Sequence, residues 1–131
     1  MAGWRPCAGA TLLMPSGVEG NHLFVILNDP KVFPGYGPNP CVALVNLSTV
    51  RAEVSYDNTC VLQAGCHSFV VRNSYVVYRN VRIEQETHLI TLVLQGLFRP
   101  HDPILGTDFT NIKNGLTGSP FTKREFKQLE I

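Results

Sequence analysis

The sequence lacks a long hydrophobic run, an excess of charge of either sign and the residue spacing typical of metal sites. No apolar segment approaches the ~18 residues of a membrane-spanning helix, so we expect no membrane partner. The net charge of +1 over 131 residues predicts no general attraction to nucleic acid, which only a local basic patch would then bind. The first residues carry no apolar centre of the kind found in signal peptides, which predicts a cytoplasmic protein.

The four cysteines of the chain, Cys7, Cys41, Cys60 and Cys66, form no Cys-x-x-Cys pair. Without an export signal we expect them to be reduced thiols rather than disulfides or zinc ligands, and we expect no metal and no cofactor. His67 directly follows Cys66. Neighbouring residues on a strand point to opposite faces, which disfavours a nucleophilic Cys-His dyad here.

Nine prolines and eleven glycines indicate a chain rich in turns and favour a β fold over a helical bundle. Short apolar or alternating stretches between turn residues predict strands at residues 9–14, 22–27, 41–47, 51–56, 67–71 and 74–77. The run at residues 22–27 does not alternate, which predicts either burial on both faces or a place in the middle of a small barrel. Residues 79–83 either continue the last strand or bend away from it. Gly65 is expected in a backbone conformation that other residues resist.

Helical patterns are confined to the last third of the chain. Five apolar residues share one face of a helix that begins near Glu84: Leu89, Ile90, Val93, Leu94 and Leu97. Residues 99–103 are expected to end this helix, and residues 106–118 to be packed but irregular. Ser119 and Pro120 predict the N-cap and first residue of a final helix.

The predicted fold is therefore mainly β with C-terminal helices, either a strongly bent sheet or a small, partly open β-barrel. An α+β sandwich is the alternative. Residues 1–98 are predicted to form the barrel with one helix, and residues 99–131 a C-terminal extension packed on the same domain. Four prolines stiffen the loop at residues 30–40, which either covers a groove or is a passive connection.

Four segments resemble strands of the MazF/PemK-like toxin family: residues 9–15 (GATLLMP), 22–29 (HLFVILND), 42–48 (VALVNLS) and 74–83 (SYVVYRNVRI). The likeness covers about residues 9–97. It implies an SH3-like barrel and a metal-independent endoribonuclease toxin of a toxin-antitoxin system, which would cleave single-stranded RNA. It also implies a homodimer and an antitoxin or other protein partner.

In that family an arginine at the opening of the second strand and a Ser or Thr after the third strand carry cleavage. Ser48 or Thr49 matches the second of these positions, but His22-Leu23 stands where the family has Arg-Pro. Two interpretations follow. Either His22 takes over the acid-base role, or the chain is a non-catalytic SH3-like module that binds nucleic acid or a protein.

RNA cleavage without a metal needs a base, an acid and a cation for the charged phosphorus centre. Histidine suits the first two roles and arginine the third. The candidate catalytic residues are His22, Ser48, Thr49 and Arg79. The candidate RNA-binding residues are Arg72, Arg82 and His67, with Tyr36, Tyr75 and Tyr78 as stacking platforms. The alternative is that the arginines are solvated and the tyrosines belong to the core.

Overall fold

The sheet accounts for most of the regular structure. The computed structural model describes residues 3–15 and 20–131. It contains the strands β1 (Thr11–Pro15), β2 (Asn21–Ile26), β3 (Cys41–Thr49), β4 (Val61–Leu62), β5 (Ser74–Gln85) and β6 (Arg99–His101). They form one antiparallel sheet in the order β4-β5-β3-β2-β1-β6, curled into a half-barrel. The prediction of a mainly β, bent sheet is confirmed.

Three helices follow the long strand: α1 (Glu86–Leu94), α2 (Gly106–Gly118) and α3 (Arg124–Lys127). Ile112 and Leu116 of α2 are buried in a core on one side of the sheet, here called the α2 face. Leu89 of α1 is buried on the opposite side, the α1 face. In the part of the chain that the structure describes, no helix has both the length and the apolar character needed to cross a membrane.

The central strands are apolar throughout because the sheet is covered on both sides. Leu23 and Val25 of β2 point into the core on the α2 face, and Phe24 and Ile26 point into the core on the α1 face. Since successive strand residues face opposite ways, a doubly covered strand needs apolar residues at every position. The predicted burial of both faces of β2 is confirmed.

A large bulge interrupts the pairing of β3 with β5. Leu44 pairs with Arg82 and Asn46 pairs with Val77, so residues 78–81 lie opposite the single residue Val45. Extra residues in one strand of an antiparallel pair bend that strand and re-aim its side chains. The bulge therefore helps to curl the sheet and sets the direction of Arg79.

The predicted strands at residues 9–14, 22–27, 41–47 and 74–77 are confirmed as β1, β2, β3 and the start of β5, and residues 79–83 continue β5. The predicted strand at residues 51–56 is wrong: this segment is exposed irregular backbone in which Glu53 has a φ of 67°. The predicted strand at residues 67–71 is also wrong, because the Val70 amide donates to the His67 carbonyl at 2.9 Å in a turn. Gly65 has a φ of 92°, as expected.

The C-terminal third differs most from its prediction. Residues 106–118 are not irregular but form α2, and Arg99–His101 is a strand that pairs with β1. The helix predicted from Glu84 begins at Glu86 and ends at Leu94, so Leu97 lies beyond it. The predicted N-cap at Ser119 is wrong, because α2 ends at Gly118 and α3 begins at Arg124.

Candidate functional site

The α1 face of the sheet is covered over only part of its length. The buried apolar cluster around Leu89 ends at Leu44 of β3, and the next residues on the same face are polar: Asn46, which is buried, and Ser48, which is half-buried. Beyond that cluster lies an open depression of about 450 Å³, here called the Arg79 depression. It is lined by polar and aromatic residues, among them His22, Asn46, Ser48, Tyr56, Tyr75 and Arg79.

A second depression, of about 580 Å³, adjoins the first and is here called the Arg72 depression. It is lined by the ends of β2 and β3 and by the loop at residues 65–73, including Thr49, Arg51, Phe69, Val71 and Arg72. His22 and Ser48 line both depressions, so the two meet at these side chains. The two depressions are together called the cleft here, and His22 and Ser48 are the residues that they share.

His22 is half-buried near the start of β2. Its Nδ1 atom lies 3.4 Å from the backbone carbonyl oxygen of Leu47 in the neighbouring strand β3. Ser48, the next residue along β3, lines the same depressions. The pairing of β2 with β3 thus brings together the histidine and the hydroxyl that were predicted as catalytic residues, and Thr49 joins them in the Arg72 depression.

Arg79 projects from the bulge of β5. Its guanidinium carbon lies 5.4 Å from the ring centroid of Phe121, close enough for a cation–π contact. Its positive charge also acts on Asp57, which lines the same depression. Arg79 remains exposed, so it lies in the cleft between two fixed groups with its charge accessible to a ligand.

Asp57 anchors this side of the cleft. It is only 8% exposed and accepts hydrogen bonds from the Ser119 hydroxyl at 2.6 Å, the Thr59 hydroxyl at 2.6 Å and the Thr59 amide at 3.0 Å. Burial alone would raise the pKa of this carboxyl, but the hydrogen bonds from Ser119 and Thr59 and the charge of Arg79 outweigh it. The pKa therefore lies below its ordinary value. The sequence indicated only a turn here, although an Asp two residues before a Thr is typical of a side chain that caps its own backbone.

Tyr56 and Tyr75 form an aromatic pair beside Arg79. Their ring centroids are 5.2 Å apart with a tilt of 35° between the planes. Tyr56 is 38% exposed although it lies in an irregular segment. The predicted site residue Tyr75 is thus in the cleft, and Tyr56 is a neighbour that the sequence did not single out.

Three other predicted RNA-binding residues lie outside the cleft lining or in the core. Tyr36 lines a separate pocket. Arg82 is ion-paired with Glu84 at 2.5 Å and is absent from the lining of both depressions. Tyr78 is fully buried and donates a hydrogen bond to the Ile112 carbonyl at 2.6 Å, and burial raises its pKa. Tyr78 is among the residues around the Arg79 depression, but because it is fully buried its ring offers no face to a ligand.

His67 is also buried rather than exposed. Its Nδ1 atom accepts a hydrogen bond from the Phe69 amide at 2.9 Å, so its Nε2 carries the proton and donates to the Asp102 carbonyl at 2.5 Å. Both ring nitrogens are therefore used within the protein. The structure gives His67 the part of a residue that fixes the loop beside the cleft.

Across residues 3–15 and 20–131, no group of three or more His, Cys, Asp or Glu side chains is arranged to hold a metal ion. All four cysteines are free thiols; Cys7 is exposed, whereas Cys41 and Cys60 are buried. Burial raises the pKa of the Cys41, Cys60 and Cys66 thiols, which disfavours their reactive thiolate form.

No family model matches this sequence, no curated protein is similar to it, and no solved structure matches its fold. The resemblance to the MazF/PemK-like toxins therefore stays a prediction, and the function is inferred from the geometry of the cleft.

Proposed function

We propose that this protein binds single-stranded RNA in the cleft formed by the Arg79 and Arg72 depressions. The observation that carries the proposal is the distribution of charge around the central pair of His22 and Ser48. Arg79 lies in one depression, and Arg51 and Arg72 lie in the other. A cleft with cationic side chains on both sides of its middle suits a ligand that carries repeated negative charges, as the phosphates of a nucleic acid do.

The aromatic side chains favour a single strand over a duplex. Stacking on a Tyr ring requires a base whose face is uncovered, and the bases of a duplex are already stacked on each other. Tyr56 and Tyr75 lie in the same depression as Arg79, so a base and its phosphate would find partners side by side. Base stacking tolerates any sequence, which predicts modest sequence preference from this contact alone.

A second function, metal-independent endoribonuclease activity, is favoured by the position of His22. In this reaction His22 accepts the proton of the ribose 2′-hydroxyl, and the 2′-oxygen forms a bond to the adjacent phosphorus. The bond to the 5′-oxygen breaks, and that oxygen keeps the electron pair and takes a proton from solvent. Arg79 would stabilise the negative charge on the phosphorus centre, and Ser48 would hydrogen-bond a phosphate oxygen.

The fold and the cleft also support a relationship to the MazF/PemK-like toxins. We infer that the curled sheet is an SH3-like barrel of a cytoplasmic toxin related to MazF/PemK, in which a protein antitoxin covers the cleft and two copies form a homodimer. The antiparallel order of the six strands and the meeting of His22 with Ser48 support this assignment. The alternative is a non-catalytic module of the same fold, which keeps the cleft for binding nucleic acid or a protein.

The binding test compares two arginines of one strand. Fluorescence anisotropy of a labelled, mixed-sequence single-stranded RNA gives the dissociation constant of wild type, Arg79→Gln and Arg82→Gln. Arg79 lines the cleft, whereas Arg82 is paired with Glu84 outside the lining residues. We expect Arg79→Gln to weaken binding about tenfold and Arg82→Gln to leave it nearly unchanged. Equal losses would mean that only net charge matters and would count against the cleft.

The cleavage test uses the same RNA in EDTA with gel analysis of the products. Cleavage by wild type that is lost in His22→Ala, with RNA binding retained, supports the enzyme. Cleavage that persists in His22→Ala would show that another group, or a contaminant, acts as the base. Binding without cleavage by any variant would leave the non-catalytic module as the function.

A further inference from the structure

We propose that the Arg72 depression is a second nucleotide subsite, in which the loop at residues 65–73 binds a base against Phe69 and Val71. Arg51 and Arg72 line the same depression and would bind the phosphate of that nucleotide. The inference rests on the proposed RNA-binding function. It adds that one nucleotide of the RNA lies on each side of His22 and Ser48.

The loop is held in place by hydrogen bonds along its whole length. The Gly65 amide donates to the Val70 carbonyl at 2.8 Å, and the Phe69 amide donates to the His67 ring at 2.9 Å. At its far end the Ala64 amide donates to the Asn73 side chain at 2.9 Å, and the Val50 amide donates to the Asn73 carbonyl at 2.9 Å. A loop with this many bonds is already ordered, so binding would lose little conformational entropy.

The same loop is tied to the opposite end of the sheet. The Ser68 hydroxyl donates to the Asp102 carboxylate at 2.9 Å, and the buried His67 ring donates to the Asp102 carbonyl. The His67 and His101 rings lie 4.8 Å apart. These contacts fix the backbone of the loop, and the Phe69 ring lies 6.1 Å from the His101 ring while it remains 39% exposed.

The side chains on this ordered loop are exposed and apolar. Phe69 is 39% exposed and Val71 is 77% exposed, although nearby Val70 is buried in the core. Apolar side chains held at the surface by a rigid loop are typical of a binding site rather than of a frayed segment. The depression of about 580 Å³ falls within the range of roughly 300–1,000 Å³ found for small-molecule sites.

The charge of the depression selects the class of ligand. Among the residues that the structure describes, its lining contains Arg51 and Arg72 but no Asp or Glu. An apolar surface beside two arginines suits a flat base attached to a phosphate better than a neutral ligand or an acidic peptide without aromatic groups. With the Tyr56–Tyr75 pair on the other side, the phosphate that joins the two nucleotides would lie at His22 and Ser48.

The test measures how affinity grows with ligand length. Isothermal titration with a mononucleotide, a dinucleotide and an RNA of about ten nucleotides is performed on wild type, Phe69→Ala and Arg72→Gln. Leu94→Ala is the matched control, since Leu94 is 79% exposed on α1 and absent from the lining of both depressions. We expect the gain in affinity from mononucleotide to dinucleotide in wild type to fall about tenfold in Phe69→Ala and in Arg72→Gln. Leu94→Ala should retain the gain.

The outcomes separate this inference from the function on which it rests. If wild type binds none of the three ligands, the proposed RNA-binding function fails. If wild type binds RNA and Arg79→Gln weakens it, but neither Phe69→Ala nor Arg72→Gln changes the gain with length, the second subsite is refuted and the cleft survives. Thermal melting of each variant shows whether it is folded. If either Phe69→Ala or Arg72→Gln fails to fold, the other still tests the subsite.

Discussion

Close packing where α2 meets the sheet predicts the effect of a single methyl group. A Cβ atom added at Gly115 would lie 2.0 Å from the Tyr78 hydroxyl oxygen and 2.6 Å from the adjacent ring carbon. Tyr78 has no room to retreat, because it is fully buried and its hydroxyl donates to the Ile112 carbonyl at 2.6 Å. In Gly115→Ala either the ring or the helix must move.

The expected cost follows from three contributions. Overpacking of a dense core costs up to about 3 kcal/mol, and contacts this short belong at that end of the range. Loss of the Tyr78–Ile112 hydrogen bond adds about 1 kcal/mol. Alanine is favoured over glycine inside a helix by about 1 kcal/mol, which offsets that loss. Gly115→Ala should therefore lower the free energy of unfolding by about 3 kcal/mol, or the melting temperature by about 10 °C.

The assay is urea denaturation of wild type, Gly115→Ala and Gly118→Ala. Gly118 is the matched control, because an added Cβ would lie 3.8 Å from the nearest atom, a Thr59 methyl carbon, at ordinary contact distance. We expect Gly118→Ala to change stability by less than about 0.5 kcal/mol. Tyr78→Phe removes the closest atom, so the double variant with Gly115→Ala should lose less stability than the sum of the two single changes. A neutral or stabilising Gly115→Ala, or strictly additive losses, would refute the packing of α2 on Tyr78.

Two further predictions concern ionisable groups. The pKa of Asp57 lies below its ordinary value of 3.8, so its stabilising contribution is complete above the unfolded pKa and is lost as the pH falls through the lower folded value. Asp57→Asn should be less stable than wild type at neutral pH, and its stability should fall less than that of wild type on acidification. Denaturation midpoints of both proteins between about pH 6 and pH 3 measure this. Parallel dependence of the two midpoints on pH would contradict it. Cys7 is exposed, whereas Cys41 and Cys60 are buried with raised pKa values, so alkylation followed by mass spectrometry should modify Cys7 first and the buried pair only on unfolding. Labelling of Cys60 as fast as Cys7 in the native protein would show that this core is open.

The strands that the sequence predicted correctly are those in which local pattern and tertiary environment agree. The apolar runs of β2 and β3 need burial on both sides, and the sheet supplies it. Residues 67–71 carry the same apolar and β-branched types, but the His67 ring accepts the Phe69 amide and closes a turn instead. A bond from a side chain to its own loop overrides β propensity, and no periodic pattern reveals it.

The sequence of α2 contains a helical spacing of core residues, but its composition is typical of a loop. Ile112, Gly115 and Leu116 follow the spacing of one helical face and are all buried. Three glycines, at both ends and at Gly115 in the interior, and a polar remainder made the segment resemble a loop, because glycine is unfavourable inside helices. The reason for Gly115 lies in another element, since the Tyr78 hydroxyl occupies the place of its missing side chain. Because Gly115 and Tyr78 are far apart in the chain, no local sequence pattern predicts their contact.

The candidate site was predictable in part. His22, Ser48, Thr49, Arg72, Arg79 and Tyr75 were all singled out and do line the cleft. Arg51, Tyr56 and Phe69 were missed because two of them lie in a segment predicted as a strand and the third in a loop predicted as one. The bond between Asp57 and Ser119 spans 62 positions of sequence, and the bulge that directs Arg79 leaves no mark in the residue pattern.

The measurement that tests the cleft most directly is ultraviolet crosslinking of single-stranded RNA to wild type, followed by mass spectrometry of the linked peptides. Aromatic side chains stacked on bases are the expected crosslinking sites. The cleft predicts crosslinks at Tyr56, Tyr75 or Phe69, and none at Tyr36, a partly exposed tyrosine that lines a separate pocket. Crosslinks confined to Tyr36, or RNA that binds without any link inside the cleft, would contradict the account.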